Sequence, residues 1–432
     1  MKRMTRTVLL LVPVVIFLLS ACTLLQPKPP EVKSNVAHDL SPQASDSDLG
    51  ELVDGNSAFA FDLYHQAASN GDNLFYSPYS ISVALAMTYA GATGDTAVQT
   101  AQTLHFTLPA ERLHPAFNRL ALALESRSKV EGLKPGEAFQ LSVANSLWGQ
   151  SGFHFEQPFL DVLAQNYAAG MRLVDYRKDA ETARLAINDW VSHSTNQKIK
   201  DIIPPGALDA LTRLVLANAV YFKAAWQEPF DEKMTQPDTF HLLDGSGVQV
   251  DMMHQSTSLN AMQGDGYRAV ELPYAGGQLS MLVLLPDDGR FSDVDARLNA
   301  GLVAQTVAAL KPVEVDLSLP KFKMEWSMEL SRGLQALGMT DAFNPDRADF
   351  SGMDGARDLY ISLILHKAFV SVDENGTEAA AATVVVVEAS AMPVNPVEPM
   401  QFKVDRPFLF LIRDNPTGTI LFAGRVTNPA AS

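Results

Sequence analysis

Between Gly376 and Ala391 the chain reads GTEAAAATVVVVEASA, and the two halves of that stretch ask for different structures. Alanine is the strongest helix former, whereas consecutive β-branched valines favour strand. Read as a strand, the segment alternates its side chains between two faces. One face carries Thr377, Ala379, Ala381, Thr383, Val385 and Val387, none of them charged. The other carries Glu378, Ala380, Ala382, Val384, Val386 and Glu388. The first face suits a core and the second a mostly covered outer surface. Small side chains over Gly376–Ala382 offer little steric resistance to neighbours, and Gly376 frees the backbone at their start. Most valine-rich runs are native central strands, and nothing inside TVVVVE excludes that reading.

The rest of the chain supplies the setting. GNSAFAFDLYHQAAS, SPYSISVALAMTYAGA and RLAINDWVSHST have helical spacing, the second opening on a Ser-Pro start signal. LTRLVLANAVYFKAAW, LSMLVLLP, VEVDLSLPKF and LYISLILHKAFVSVDE are long apolar runs that read as strands buried on both faces. FLFLIRDNPTGTILFAGRV is two strands around a turn. Helices dominate the front and strands the back, without regular βα alternation. That pattern predicts an α+β body around largely antiparallel sheets. A length of 432 residues alone suggests two or three domains.

Several function classes fall away. A net charge of −16 and the absence of a dense basic stripe argue against nucleic acid. No GxSxG elbow, HExxH helix, GxxxxGK[ST] loop or GxGxxG turn occurs, so no catalytic motif and no cofactor is expected. The nine histidines are dispersed, and no metal cluster is spaced for binding. Asp373 and Glu374 are adjacent, but neighbouring strand residues point to opposite faces, so a shared acid–base site is not expected. A secreted hydrolase with an active site assembled from distant residues stays open as a minor alternative.

The first 21 residues have a basic start at Lys2, Arg3 and Arg6 and a short apolar core ending in LSAC. Leu19–Cys22 resembles the bacterial lipoprotein box, and Cys22 is the one cysteine of the chain. The expectation is a signal peptide over 1–21 and a lipid on Cys22. The protein would then be exported and held on a membrane, facing away from the cytoplasm. Residues 22–50, rich in Pro, Ser, Asp and Gln, read as a linker, with the folded body starting near 51.

From Leu52 to Pro429 the chain resembles the serpins, a family of serine protease inhibitors. The resemblance rests on NLFYSPYSISVALAMTYAGATGDT, ANSLWGQ, DIIPPGALDALTRLVLANAVYFKAAWQEPF, LPKF, HKAFVSVDENGTEAAAAT and FKVDRPFLFLIRDNPTGTILFAGRVTNP, all in family order. It implies one domain over 51–432, with three β-sheets, eight or nine helices and an exposed reactive-centre loop over about 374–400. The hinge would comprise Glu374, Gly376, Thr377, Glu378, Ala379, Ala380, Ala381 and Ala382. Ser77, Ser80, Asn218 and His366 would form a polar cluster beneath the main sheet. Trp226, Lys321 and Glu374 would sit at its top, where the loop enters.

The same resemblance implies a mechanism. A serine endopeptidase attacks the loop and is acylated; the freed loop then inserts as a strand and drags the enzyme with it. About fourteen residues would span roughly 45 Å. The inhibitor is consumed and is not an enzyme. Family spacing places the cut after Ser390, before Ala391; a long exit to Pro407 leaves Ala389, Ala391 and Met392 open. No Lys or Arg lies between Glu378 and Lys403, which argues against trypsin-like targets. Elastase-like or subtilisin-like partners are expected, with papain-like cysteine proteases as a further option. The protein is expected to be a monomer that fails by loop–sheet polymerisation. A non-inhibitory serpin acting as a binding or chaperone-like surface protein is the alternative.

Overall fold

The computed structural model describes residues 29–68, 71–130, 139–377 and 398–431. In chain order the strands begin with β1 (Glu31–Val32), β2 (Leu74–Tyr76), β3 (Phe139–Gln150), β4 (Met171–Val174) and β5 (Leu214–Ala225). They continue with β6 (Gln236–His241), β7 (Gly247–Gln263), β8 (Tyr267–Pro273), β9 (Leu279–Pro286) and β10 (Lys311–Pro320). The last are β11 (Phe322–Glu329), β12 (Ile361–Asp373), β13 (Gly376–Thr377), β14 (Met400–Lys403), β15 (Phe408–Asp414) and β16 (Ile420–Val426). The six longer front helices are α1 (Asp46–Ala67), α2 (Pro78–Tyr89), α3 (Gly94–Thr103), α4 (Ala110–Ser126), α5 (Gln157–Tyr167) and α6 (Ala180–Ser194).

Local chemistry explains the boundaries. Ser45 and Asp48 form a reciprocal capping box that starts α1, the serine oxygen accepting the Asp48 N–H at 3.1 Å. Ser77 caps α2 and Pro78 fills its first turn. Helix α2 is buried almost all round, as its run of apolar and small residues requires. The β15–β16 hairpin closes through Asp414 and Thr419, whose backbone groups bond at 2.9 Å.

The strands form two hydrogen-bonded sheets. The main sheet has the order β1-β4-β3-β5-β13-β12-β11, and the second runs β14-β10-β7-β8-β9-β15-β16-β2, with β6 also on β7. The resemblance implied three sheets. Hydrogen bonding joins two of them because β7, 17 residues long, pairs with β6 early, β10 along its middle and β8 at its end. Ten α-helices occur among the described residues, against the eight or nine expected. Very short ones, such as Ser351–Asp354, account for the surplus.

The main sheet separates two apolar clusters. The larger fills the space to the second sheet and the front helices and includes Phe75, Phe222, Phe410 and Phe422. The smaller lies under α6, where Ala183, Ile187 and Val191 recur at helical spacing against Trp148, Tyr221, Leu365 and Phe369.

The expected boundary near residue 51 moves forward. Val32 and Glu31 pair with Met171 and Arg172 at the sheet edge, and Leu173 N–H donates to the Pro30 carbonyl at 2.9 Å. Farther on, Asp39 N–H donates to Gln165, while the buried Asn118 amide donates to the Asp39 carbonyl at 2.7 Å. The described part of the proposed linker is therefore a strap docked across α4, α5 and β4. Polar composition does not show where this segment finds its hydrogen bonds, nor that Glu31–Val32 joins the sheet and that α1 begins at Asp46, inside the expected linker.

Candidate functional site

At the top of the main sheet the chain turns back on itself. Strand β12 ends at Asp373, residues 374 and 375 make the turn, and β13 returns antiparallel to both of its neighbours. Gly376 faces Ala225 and Asp373, and Thr377 faces Ala224 and Val372. Below this point β5 and β12 pair directly, in parallel, from Phe369 and Tyr221 down to Ile361 and Leu214. Gly376 and Thr377 of the expected hinge thus occupy a slot between strands that are bonded to each other farther down.

That slot explains two residue choices. Gly376 has φ +150°, and a Cβ there would lie 2.1 Å from the Ala224 carbonyl oxygen. Only glycine fits so close to the neighbouring backbone. Thr377 is completely buried, and its hydroxyl lies 2.8 Å from the Tyr274 hydroxyl. Tyr274 stacks on Trp226 with centroids 4.6 Å apart and planes at 6°.

The structure brings Trp226, Lys321 and Glu374 together here. The Trp226 indole N–H donates to the Asp373 carbonyl and its backbone N–H to Asn375, both at 3.0 Å. Glu374 accepts from Lys321 Nζ at 2.8 Å and from the Thr235 hydroxyl at 2.8 Å. Burial acts to raise the Glu374 pKa, but the bonds from Lys321 and Thr235 outweigh it and hold the carboxyl below its usual value. Asp373 takes a different partner, the Asn375 N–H at 2.9 Å, and burial raises its pKa. The two carboxylates do not share a site.

A second polar group lies beneath the middle of the sheet. Asn145, Asn218 and His366 stand in register across β3, β5 and β12. The Ser77 N–H, at the start of α2, donates to His366 Nε2 at 3.2 Å, and His366 Nδ1–H donates to Asn218 Oδ1. The Asn218 amide then donates to the Ser80 carbonyl at 3.0 Å, the Ser80 hydroxyl at 2.6 Å and the Asn145 side-chain oxygen. Asn145 returns a bond to the Ser80 carbonyl at 3.1 Å. Burial pushes His366 down to about 3, so its ring is neutral at ordinary pH and Nε2 is free to accept. The network ties β5 to β12 where a longer β13 would have to part them.

Sequence reading missed Asn145, Thr235 and Tyr274. Asn145 has a visible signal, an amide inside the strand run ANSLWGQ. Tyr274 and Thr235 lie outside the hinge and meet it only through tertiary structure. The expected hinge residues Glu378 and Ala379–Ala382, the bond candidates Ala389, Ser390, Ala391 and Met392, and Cys22 lie outside the described residues. Past residue 397, β14 pairs in parallel with β10 on the second sheet. Among the described residues no group of three or more His, Cys, Asp or Glu could hold a metal ion.

An α+β body whose main sheet has admitted the first residues of a following segment defines a narrow class of protein. A family model described as serpin, serine protease inhibitor, matches residues 54–429, and the chain belongs to the serpin family. An uncharacterized serpin-like protein from Thermococcus kodakarensis is 41% identical over 378 residues, covering 88% of this chain and 86% of that protein. The leukocyte elastase inhibitor of Homo sapiens is 39% identical over 394 residues, covering 88% of this chain and all of the relative. The crystal structure of the thermophilic serpin Tengpin in its native state superposes with a TM-score of 0.81 at 30% identity, covering 93% of this chain and all of the other. Serpins are inhibitors of proteases and not catalysts, and the fold expected from the sequence is the one found.

Proposed function

We propose that this serpin inhibits a serine endopeptidase as a suicide substrate, by inserting its cut loop between β5 and β12. The observation that carries the reading is the pairing around β13. Each residue that follows Thr377 into the slot would exchange one parallel contact between β5 and β12 for two antiparallel ones. Antiparallel pairing is the more stable per residue, and the number of ladders rises by one. At about 0.5–1.5 kcal/mol per net hydrogen bond, roughly a dozen further residues release on the order of 10 kcal/mol. The alanines of the hinge suit entry and the valines suit the finished strand. The serine of the target enzyme attacks the loop carbonyl, the peptide amine leaves, and insertion outruns hydrolysis of the ester.

The reactive bond in this reading is Ser390–Ala391, with Ala389, Ala391 and Met392 as neighbouring choices. The absence of Lys and Arg between Glu378 and Lys403 and the kinship with leukocyte elastase inhibitors support elastase-like or subtilisin-like targets. Papain-like cysteine proteases are also acylated and belong in the same panel. Glu374, Lys321 and Trp226 would steady the entrance, and Ser77, Ser80, Asn218 and His366 the strands below it. Cys22 would carry the lipid that holds the exported protein on a membrane.

Two measurements test this. Purified proteases are mixed with the protein and scored for detergent-stable adducts, with the released C-terminal peptide weighed to fix the bond. The melting temperature is taken before and after nicking the loop. Insertion should raise it by on the order of 10 °C. A nicked protein that melts no higher than the intact one would refute the mechanism.

A further inference from the structure

The alanine run creates a problem that the proposed mechanism must solve. Strand register is specified by side chains that fit one position better than another, and Ala379–Ala382 are identical. A slip of two residues keeps every side chain on its face and sets Ala379 where Thr377 belongs; Gly376 opposes it, because the slip would press a Glu378 Cβ against the Ala224 carbonyl. We infer that Tyr274, together with the glycine-only fit at Gly376, holds the register of the inserting loop by hydrogen bonding to the Thr377 hydroxyl; this rests on the inhibitory reading above.

Three observations carry the inference. First, the Tyr274 hydroxyl is completely buried, and among the described residues its hydrogen-bond partner is Thr377. A buried hydroxyl left alone is costly, so the bond selects whatever register supplies a partner. Second, between Gly376 and Ala382 the chain offers one hydroxyl, that of Thr377; the next is Thr383. No small slip can satisfy Tyr274, and a slip of one residue would turn the Glu378 carboxylate inward. Third, the tyrosine is held rigidly. Its ring is stacked on Trp226 and meets the Phe222 ring edge-on at 5.4 Å. Its N–H and carbonyl are bonded to Leu279 and Gly277 at 2.9 and 2.8 Å. A fixed hydroxyl can discriminate between registers, where a mobile one would follow the strand.

Tyr274 is therefore a positioning residue, acting through Thr377. The bond is made before cleavage and would persist after it, so it aligns the strand from its first rung. Without it the alanines can enter out of register, insertion slows, and the acyl bond is hydrolysed first.

The test is a cycle of Tyr274→Phe, Thr377→Ala and the double variant, with Thr377→Ser as the conservative control. The first readout is the number of inhibitor molecules consumed per subtilisin trapped. The second is hydrogen exchange at the Thr377 amide in the intact protein, which needs no inhibition. Tyr274→Phe keeps the stacked ring and Thr377→Ala the small size. Each single change is expected to raise both readouts by about fivefold or more. The double variant should be no worse than the poorer single one, and Thr377→Ser should resemble the parent. Tyr274→Phe matching the parent in both readouts, or single effects that multiply in the double variant, would overturn the inference. A parent that traps no protease but shows the coupled exchange pattern would sink the inhibitory reading and leave the Tyr274–Thr377 coupling standing.

Discussion

Replacing Thr377 by Arg puts a fixed charge where the structure has none to spare. The position is completely buried between Ala224 and Val372, and the facing hydroxyl belongs to Tyr274. The nearby Glu374 carboxylate is already engaged by Lys321 and Thr235. An uncompensated buried guanidinium costs roughly 3–5 kcal/mol. Leaving the slot instead gives up the ladder bonds of two residues, roughly 2–3 kcal/mol at the usual net value. The hinge of Thr377→Arg should therefore stay out of the sheet. After cleavage the same arginine must pass the same site before any alanine can follow. A barrier higher by 3–5 kcal/mol slows insertion by roughly two to four orders of magnitude. Hydrolysis of the acyl bond then wins, and the variant becomes an ordinary substrate. Titration of subtilisin, followed on denaturing gels, measures the ratio of cleaved inhibitor to covalent adduct directly. Thr377→Arg should give almost all cleaved product. A ratio within twofold of the parent would show that Thr377 does not travel through a buried slot, and the account of the hinge would fail with it.

Acidification should loosen the network under the sheet. An unfolded histidine takes up a proton below about 6.5, whereas buried His366 does so only near about 3. Between those values the unfolded state binds more protons, so stability falls as pH falls, by up to about 1.4 kcal/mol per pH unit. Urea unfolding between pH 6.5 and 4.5 should be steeper by that amount in the parent than in His366→Gln; equal slopes would refute it. Ser390→Arg should redirect inhibition toward trypsin, measured as adduct formation, and no redirection would place the reactive bond elsewhere. Asn118→Ala removes the amide that donates to the Asp39 carbonyl and meets His38 Nε2 at 2.9 Å. Loss of about 1–3 kcal/mol should free the strap, read as faster proteolysis within residues 29–45.

What could be read from the chain follows from how local each signal is. Helices α2 and α6, strands β5 and β12 and the β15–β16 hairpin are written in runs of ten or more residues, with caps and turns that act over three or four positions. Motif order points to Glu374, Lys321 and Trp226, and the structure sets them within hydrogen-bonding distance of one hinge. The strap over 29–45 carries no such pattern, because its bonds go to the Asn118 side chain, the Gln165 carbonyl and the edge of β4. Tyr274 shows the same limit more sharply. Its neighbours in sequence are a turn and two glycines, while its partners are Trp226, Phe222 and Thr377, between 48 and 103 positions away along the numbering. The sequence does record the need for such a residue. Four identical alanines cannot set their own register, and the buried Thr377 needs a partner for its hydroxyl. The incomplete strand and the group that aligns it are two halves of one constraint, and only the folded sheet brings them into contact.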